Sequence, residues 1–212
     1  RQEEALAGAG IPGLAGEVRR LAGAVAALPP ALRLPVADLA LPALRQLSPG
    51  QAGQLLGCLE SLAVADRRIT LFELCLQVQL RRRLRGTAAA AARPRPGRGE
   101  VRAHAAVLLS ALARSGSPDP EVAARAFAVA ARRLTGLLAP TDLRELGDEP
   151  ATLLGPALEG LARAPLATRR AVLESASILV LSDRTVALEE AELVRAAAAA
   201  LDLPLPGFAD VA

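Results

Sequence analysis

The chain has almost no aromatic residues and lacks several residue types altogether. Its 212 residues include three Phe but no Trp, Tyr, Met, Lys or Asn, so aromatic side chains make up 1% of the sequence. Hydrophobic residues nevertheless reach 52%. A core must then consist mainly of Ala, Leu and Val, a composition that favours closely packed helices. Without interleaved aromatics, recognition of nucleic acid by base stacking has no support.

Histidine and cysteine are also scarce, which excludes several kinds of enzyme site. His104 is the sole histidine, so the chain has neither an H-E-x-x-H zinc-peptidase motif nor a second imidazole for a zinc site. A G-x-S-x-G nucleophile elbow is missing too. We interpret His104 as structural or solvent-facing, and we expect no catalytic residue, metal ligand or cofactor within the chain. Two cysteines in a chain of this length indicate a reducing, cytosolic location.

Long apolar runs and a strong charge imbalance are absent as well. No uninterrupted run reaches the roughly 18 apolar residues of a transmembrane helix, and no signal peptide is recognisable. All 25 cationic residues are Arg, and the net charge is +3. Such a mild excess does not indicate a nucleic-acid-binding protein. Because the chain begins with Arg1 rather than Met, we expect it to be a fragment of a longer protein.

One segment of the chain occurs twice. Residues 55–84 read LLGCLESLAVADRRITLFELCLQVQLRRRL, and residues 172–201 read VLESASILVLSDRTVALEEAELVRAAAAAL. A constant offset of 117 residues aligns the shared positions, among them Leu56 with Leu173, Asp66 with Asp183, Glu73 with Glu190, and Leu76 with Leu193. Each copy consists of an apolar helical stretch, an acidic turn and a second helical stretch. The repeat therefore predicts two similar helical hairpins.

Capping signals locate the helices of the first copy. Ser48 precedes Pro49, and Gln51 follows three residues after Ser48, as in a capping box. Thr70 and Glu73 form a second such pattern, and we expect theirs to be the firmer helix start of the two copies, because Ala187 replaces Thr70 in the second. Upstream, residues 16–28 have helical apolar spacing.

The remaining segments complete an all-α prediction. Pro35 and Pro42 are expected to flank a short helix, VADLA. Further helices are predicted from about Val101, from Asp119-Pro120-Glu121, over 153–162, and after Pro165. The predicted organisation is an N-terminal helical segment (1–40), a first hairpin (41–85), an Arg/Pro/Gly-rich mobile linker (86–100), and a helical half (101–212) containing the second hairpin (153–203). Duplicated hairpins would thus form one multi-helix domain.

The paired acidic residues at the two turns have two readings. Asp66 with Glu73, and Asp183 with Glu190, resemble the ligands of a calcium loop. However, the spacing is seven residues, the central Gly is missing and Arg follows each Asp. We favour a structural role, in which Asp closes one helix and Glu stabilises the start of the next.

The cysteines and an arginine-rich segment also leave alternatives open. Cys58 and Cys75 fall at similar heights of the predicted hairpin, so they are either a redox pair or, as we favour, small buried apolar residues. Arg81, Arg82, Arg83 and Arg85 lead into the linker. They suit a solvated helix end, with contact to acidic lipid headgroups as the alternative.

At LPALRQLSPGQ (41–51) and ADRRITLFELCLQ (65–77) the chain resembles the C-terminal cytosolic region of bacterial HtpX-like integral-membrane zinc metallopeptidases. SDRTVALEEAELVRAAAAALDLPLP (182–206) is similar to that family's closing segment, and the acidic turns resemble those of TerB-like helical modules. In the family, the zinc ligands and transmembrane helices precede this region. The resemblance implies that zinc belongs to a catalytic domain outside this chain.

These observations give two expectations for function. In the first, the chain is a non-catalytic accessory or regulatory domain of a membrane-bound zinc metalloendopeptidase. It would act in proteolysis or membrane-protein quality control at the cytosolic face of the bacterial inner membrane. Its partners would be proteins: its own catalytic domain, a substrate or another copy. In the alternative, it is a stand-alone TerB-like sensor or membrane-surface module. Nucleic acid is expected in neither case.

Overall fold

The computed structural model describes residues 6–8, 10–65, 69–85, 94–183 and 185–207. These residues form helices and connecting turns, and no strand occurs among them. The predicted all-α fold class is therefore confirmed. Of the residues predicted to matter, Asp66 and most of the proposed linker lie outside the described ranges.

Nine α-helices account for most of the described chain. Those at Pro30, Pro49, Pro120 and Pro150 begin at a proline, whose fixed φ and missing N–H suit the first helical position. Short 3-10 turns span Pro140–Asp142 and Leu181–Asp183. In chain order the helices are α1 (Leu14–Ala26), α2 (Pro30–Leu44), α3 (Pro49–Ala65), α4 (Leu71–Arg85), α5 (Arg98–Gly116), α6 (Pro120–Arg133), α7 (Pro150–Ala162), α8 (Leu166–Val180) and α9 (Leu188–Leu201).

Helix α5 lies at the centre of the core. It packs against α6, α7, α8 and α9, and its residues 105–113 are all buried. A helix that is apolar on all sides must be surrounded by other helices if its side chains are to be removed from water. Phe127 of α6 is the largest fully buried side chain, and Leu, Val and Ala supply most of the rest. The core is thus built from aliphatic side chains, with Phe127 as its one fully buried aromatic residue among those described.

The repeated segment forms two helical hairpins. The first consists of α3 and α4, and the second of α8 and α9. Leu166 and Leu188 begin the helices of the second hairpin, each 117 residues after its counterpart in the first, Pro49 or Leu71. The second helices of the two hairpins, α4 and α9, pack extensively on each other. The two copies are therefore joined through equivalent helices.

Two segment boundaries differ from the sequence prediction. Pro35 and Pro42 lie inside α2 rather than at its ends, so the boundary placed between residues 40 and 41 falls within a helix. Burial explains the continuation, because Leu34 enters the main core and Leu41 packs against the first hairpin. Helix α5 begins at Arg98, so the last three residues of the predicted linker 86–100 are helical.

Candidate functional site

The residues predicted to cap the first hairpin form complete capping boxes. The Gln51 N–H donates to Ser48 Oγ (3.3 Å), and the Ser48 N–H donates to Gln51 Oε1 (2.9 Å). In the same way, the Glu73 N–H donates to Thr70 Oγ1 (3.2 Å), while the Thr70 N–H donates to Glu73 Oε2 (2.8 Å). In each box, two backbone N–H groups at the start of the helix donate to side-chain oxygens. The role of these side chains is therefore structural.

At the second turn, Glu190 makes only half of such a box. Its Oε2 accepts a hydrogen bond from the Ala187 N–H (2.9 Å), and Ala187 has no side-chain acceptor to offer in return. Asp183 Oδ1 accepts from the Thr185 N–H (3.0 Å) and so shapes the turn itself. Glu190 is 4% exposed, an unusual position for a capping carboxylate.

Asp183 and Glu190 share one cleft of about 270 Å³. Burial, together with the nearby charges of Asp183 and Glu189, raises the pKa of Glu190 to about 6, against the hydrogen bond from Ala187. Gly116 permits this arrangement, because a Cβ there would lie 2.3 Å from Glu190 Oε1. The other walls are mostly small or apolar and include Ala113, Ser117, Val122, Arg125, Ala126, Val129, Leu179 and Ser182.

The cleft offers a carboxylic acid whose pKa is about 6, and its lining residues include the hydroxyls of Ser117 and Ser182 but no thiol and no imidazole. Within the described ranges, no group of three or more His, Cys, Asp and Glu side chains is arranged to hold a metal ion. The equivalent turn of the first copy contains Asp66, which lies outside the described residues. The structure thus brings Asp183 and Glu190 together at the rim of the core.

Two of the four arginines proposed for surface contact pair within the chain. Arg81 Nη2 lies 3.0 Å from Glu60 Oε1, which links α4 to α3. Arg82 Nη2 lies 3.1 Å from Asp202 Oδ2, at the end of α9. Arg83 is exposed, and the side chain of Arg85 is outside the described part. The first two therefore help to hold the hairpins together.

The cysteines and His104 occupy packed positions. Cys58 and Cys75 are free thiols and both are buried. Burial raises the pKa of the Cys75 thiol, and the charge of Glu192 raises it further. His104 is partly buried, its ring packs against Gly160 of α7, and desolvation lowers its pKa.

A buried polar cluster between α2 and α9 was not predicted. Glu192 is buried on α9, and its burial raises its pKa, whereas the charges of Arg33 and Arg195 lower it. Asp38 Oδ2 of α2 lies 3.6 Å from Arg195 Nη1. The repeat could have indicated the burial of Glu192, because Glu192 aligns with Cys75 and Cys75 is fully buried.

Helices α1 and α2 expose large apolar side chains, whereas the other helices bury most of theirs. No residue of α1 is buried, although Val18, Leu21 and Val25 follow one face. On α2, Leu32, Val36 and Leu39 are exposed, and Leu39 is 80% exposed. We call these six residues the N-terminal apolar face. Sequence reasoning identified the spacing on α1 but not that the face lacks a cover.

None of the described helices combines the length and the apolar character needed to cross a membrane. Comparison with protein-family models gave no match. Searches of curated proteins and of solved structures likewise gave no match.

Proposed function

We propose that this chain is a non-catalytic helical domain that acts by protein–protein contact. More specifically, we propose an accessory or regulatory region of a membrane-bound zinc metalloendopeptidase. It would work at the cytosolic face of the bacterial inner membrane in proteolysis or membrane-protein quality control. Zinc and the catalytic residues would belong to a domain outside this chain.

The observation that carries this proposal is the N-terminal apolar face. Val18 is 38%, Leu21 44% and Val25 50% exposed, while α3–α9 bury their large apolar side chains with few exceptions. Several exposed apolar side chains on one face of a helix and on the next helix along the chain are typical of a surface that another protein covers. A lipid surface is less well supported, because Arg81 and Arg82 are engaged in ion pairs.

The peptidase context rests on the sequence resemblance at 41–51, 65–77 and 182–206. Each of these segments contains a helix start: that of α3 in 41–51, that of α4 in 65–77 and that of α9 in 182–206. Their side chains cap helices and shape turns, which suits a scaffold rather than a reaction centre.

The gene itself provides the first test. We expect the reading frame upstream of Arg1 to encode transmembrane segments and an H-E-x-x-H motif. A reading frame without them would refute the peptidase context and leave the contact role standing.

A second test separates contact from catalysis in the intact protein. Leu21→Ser should lower the turnover of a folded membrane-protein substrate at least about threefold, while cleavage of a short unstructured peptide stays unchanged. Leu153→Ser is the matched control, because Leu153 on α7 is also 44% exposed. Equal effects of the two variants on both substrates would contradict the proposal.

A further inference from the structure

The apolar residues of α1 follow a heptad repeat. Successive steps of three and four residues connect six positions, from the turn before the helix to the bend after it. This spacing keeps one seam of side chains aligned along a helix that pairs with another. The a positions are Ile11, Val18 and Val25, and the d positions are Leu14, Leu21 and Leu28.

The choice of residue at each position is informative. Every a residue is β-branched and every d residue is Leu, the combination that favours parallel, two-stranded coiled coils. Within α1, the e and g positions are Ala15, Ala22 and Ala24, with Glu17 the exception. Glu17 is bound by Arg20 of the same helix, with Glu17 Oε2 2.7 Å from Arg20 Nη2.

These flanks favour a second copy of the chain as the partner. Pairing with a different helix is ordinarily specified by complementary charges at e and g, and here most of these positions are uncharged alanines. Two identical α1 helices would place apolar residues against apolar residues along the whole seam. Their Ala flanks would also let the backbones approach closely.

The length of the seam calls for additional contact area. Helix α1 has 13 residues, which is about two heptads and short for an isolated coiled coil. The exposed Leu32, Val36 and Leu39 of α2, the next helix along the chain, also repeat at steps of four and three residues and are available to add apolar area. A two-fold axis along the seam would bring this surface of both copies into one isologous interface.

We propose that the chain forms a symmetric dimer in which the α1 helices of two copies pair in parallel. This inference rests on the proposed contact function and names a second copy as the partner at the N-terminal apolar face. The pairing would leave the cleft beside Glu190 outside the interface, because α1 does not line it.

The oligomeric state of the full 212-residue chain tests the proposal. Sedimentation equilibrium should show a concentration-dependent dimer. Leu21→Asp should raise its dissociation constant at least about tenfold, because each dimer would then contain two unpaired charges in an apolar seam. Leu153→Asp, with the same exposure on α7, should leave the constant unchanged. Since Leu21 is not buried, both variants should keep the helical circular-dichroism signal.

A cysteine variant tests the orientation. Val25→Cys should form an intermolecular disulfide, because parallel pairing places the two a positions side by side. In antiparallel pairing, residue 25 would lie opposite residue 14 of the second copy, so the two thiols would be about 16 Å apart. The native Cys58 and Cys75 are buried and serve as the internal control.

Each outcome bears on the proposal. A wild-type chain that stays monomeric, or a dimer that Leu21→Asp does not weaken, would overturn it. A dimer weakened by Leu21→Asp without cross-linking at Val25→Cys would overturn the parallel arrangement. A monomeric wild type whose intact parent still loses substrate turnover with Leu21→Ser would refute the dimer and retain the proposed function.

Discussion

At the scale of single residues, Glu73 and Glu190 differ although they occupy equivalent positions of the repeat. Glu73 Oε2 accepts hydrogen bonds from both the N–H and the hydroxyl of Thr70 at 2.8 Å. Glu190 has one such bond, from Ala187, and is enclosed beside Gly116. The same sequence pattern therefore gives an ordinary cap in one copy and a buried acid in the other.

Burial of Glu190 predicts a pH-dependent stability. The pKa of Glu190 rises from its ordinary value of 4.5 to about 6 on folding, so the folded protein binds the proton more tightly than the unfolded chain. The contribution of this proton to the free energy of unfolding is fully present below pH 4.5 and is lost as the pH rises through 6. Glu190→Gln should therefore be more stable than wild type above about pH 7, by about 1 kcal/mol after allowing for solvent in the cleft.

Urea unfolding across this pH range measures the effect. The difference between Glu190→Gln and wild type should shrink to near zero below pH 4.5. Glu190→Ala is the control for the hydrogen bond to Ala187, and it should be about 1 kcal/mol less stable than Glu190→Gln at every pH. A constant difference between Glu190→Gln and wild type would contradict the buried charge.

At the scale of elements, the two hairpins differ in how their second helices begin. Helix α4 has a complete capping box, whereas α9 lacks the hydroxyl that Thr70 provides. Ala187 already has the extended backbone of a capping residue, with φ −70° and ψ 153°. The missing part of the box is therefore a side chain and not a backbone conformation.

Exchanging these two residues should move stability in opposite directions. Ala187→Thr should raise the free energy of unfolding by about 0.5–1 kcal/mol, because its hydroxyl can accept from the Glu190 N–H. Thr70→Ala should lower it by about 1 kcal/mol. Chemical denaturation gives both values, and amide hydrogen exchange in the first turn of α9 locates the gain. A loss in Ala187→Thr would show that the cleft has no room for the added atoms.

The packing of α5 on α7 depends on a glycine. An ideal Cβ at Gly160 would lie 2.0 Å from His104 Nδ1 and 2.1 Å from its Cε1. The imidazole therefore occupies the space that any larger residue would need. Gly57 on α3 offers a contrast, since nothing lies within 4 Å of its ideal Cβ.

Alanine at these two glycines should separate close packing from helix propensity. Gly160→Ala should cost about 1–3 kcal/mol, because His104 must move. Gly57→Ala should instead stabilise the protein by about 0.5–1 kcal/mol, as alanine is the better helix former. Thermal unfolding compares the two. In a His104→Ala background, the cost of Gly160→Ala should largely disappear. If the cost persisted, the clash would be with the backbone and not with the imidazole.

At the scale of the whole molecule, the helices were predictable wherever local chemistry decides them. Ser48 and Thr70 mark the starts of α3 and α4, and Asp119 caps α6 by accepting from the Glu121 N–H. The offset of 117 residues also matches the helix starts of the second hairpin, Leu166 and Leu188, although the predicted bounds 153–203 took in α7 as well. These signals lie within a few residues of each other, so a sequence alone contains them.

Features that depend on distant segments were not predictable in this way. Pro35 ends a helix by local rules, but burial of Leu34 in the core outweighs the lost hydrogen bond. Glu190 is buried because α5 and α6 cover it, and neither helix is near it in sequence. The apolar spacing of α1 predicted a helix, yet only the fold shows that its face has no cover within the described chain.

Because α4 and α9 pack extensively on each other, we expect the two hairpins to unfold as one cooperative unit. Leu193 of α9 is completely buried, and Leu193→Ala should cost about 3 kcal/mol. Because α4 packs directly on α9, hydrogen exchange should accelerate in both helices, while α1, which buries no residue, should be unaffected. Leu153→Ala, at a 44% exposed position outside the N-terminal apolar face, is the control and should change stability by less than about 0.5 kcal/mol. Accelerated exchange confined to α9 would mean that each hairpin unfolds on its own.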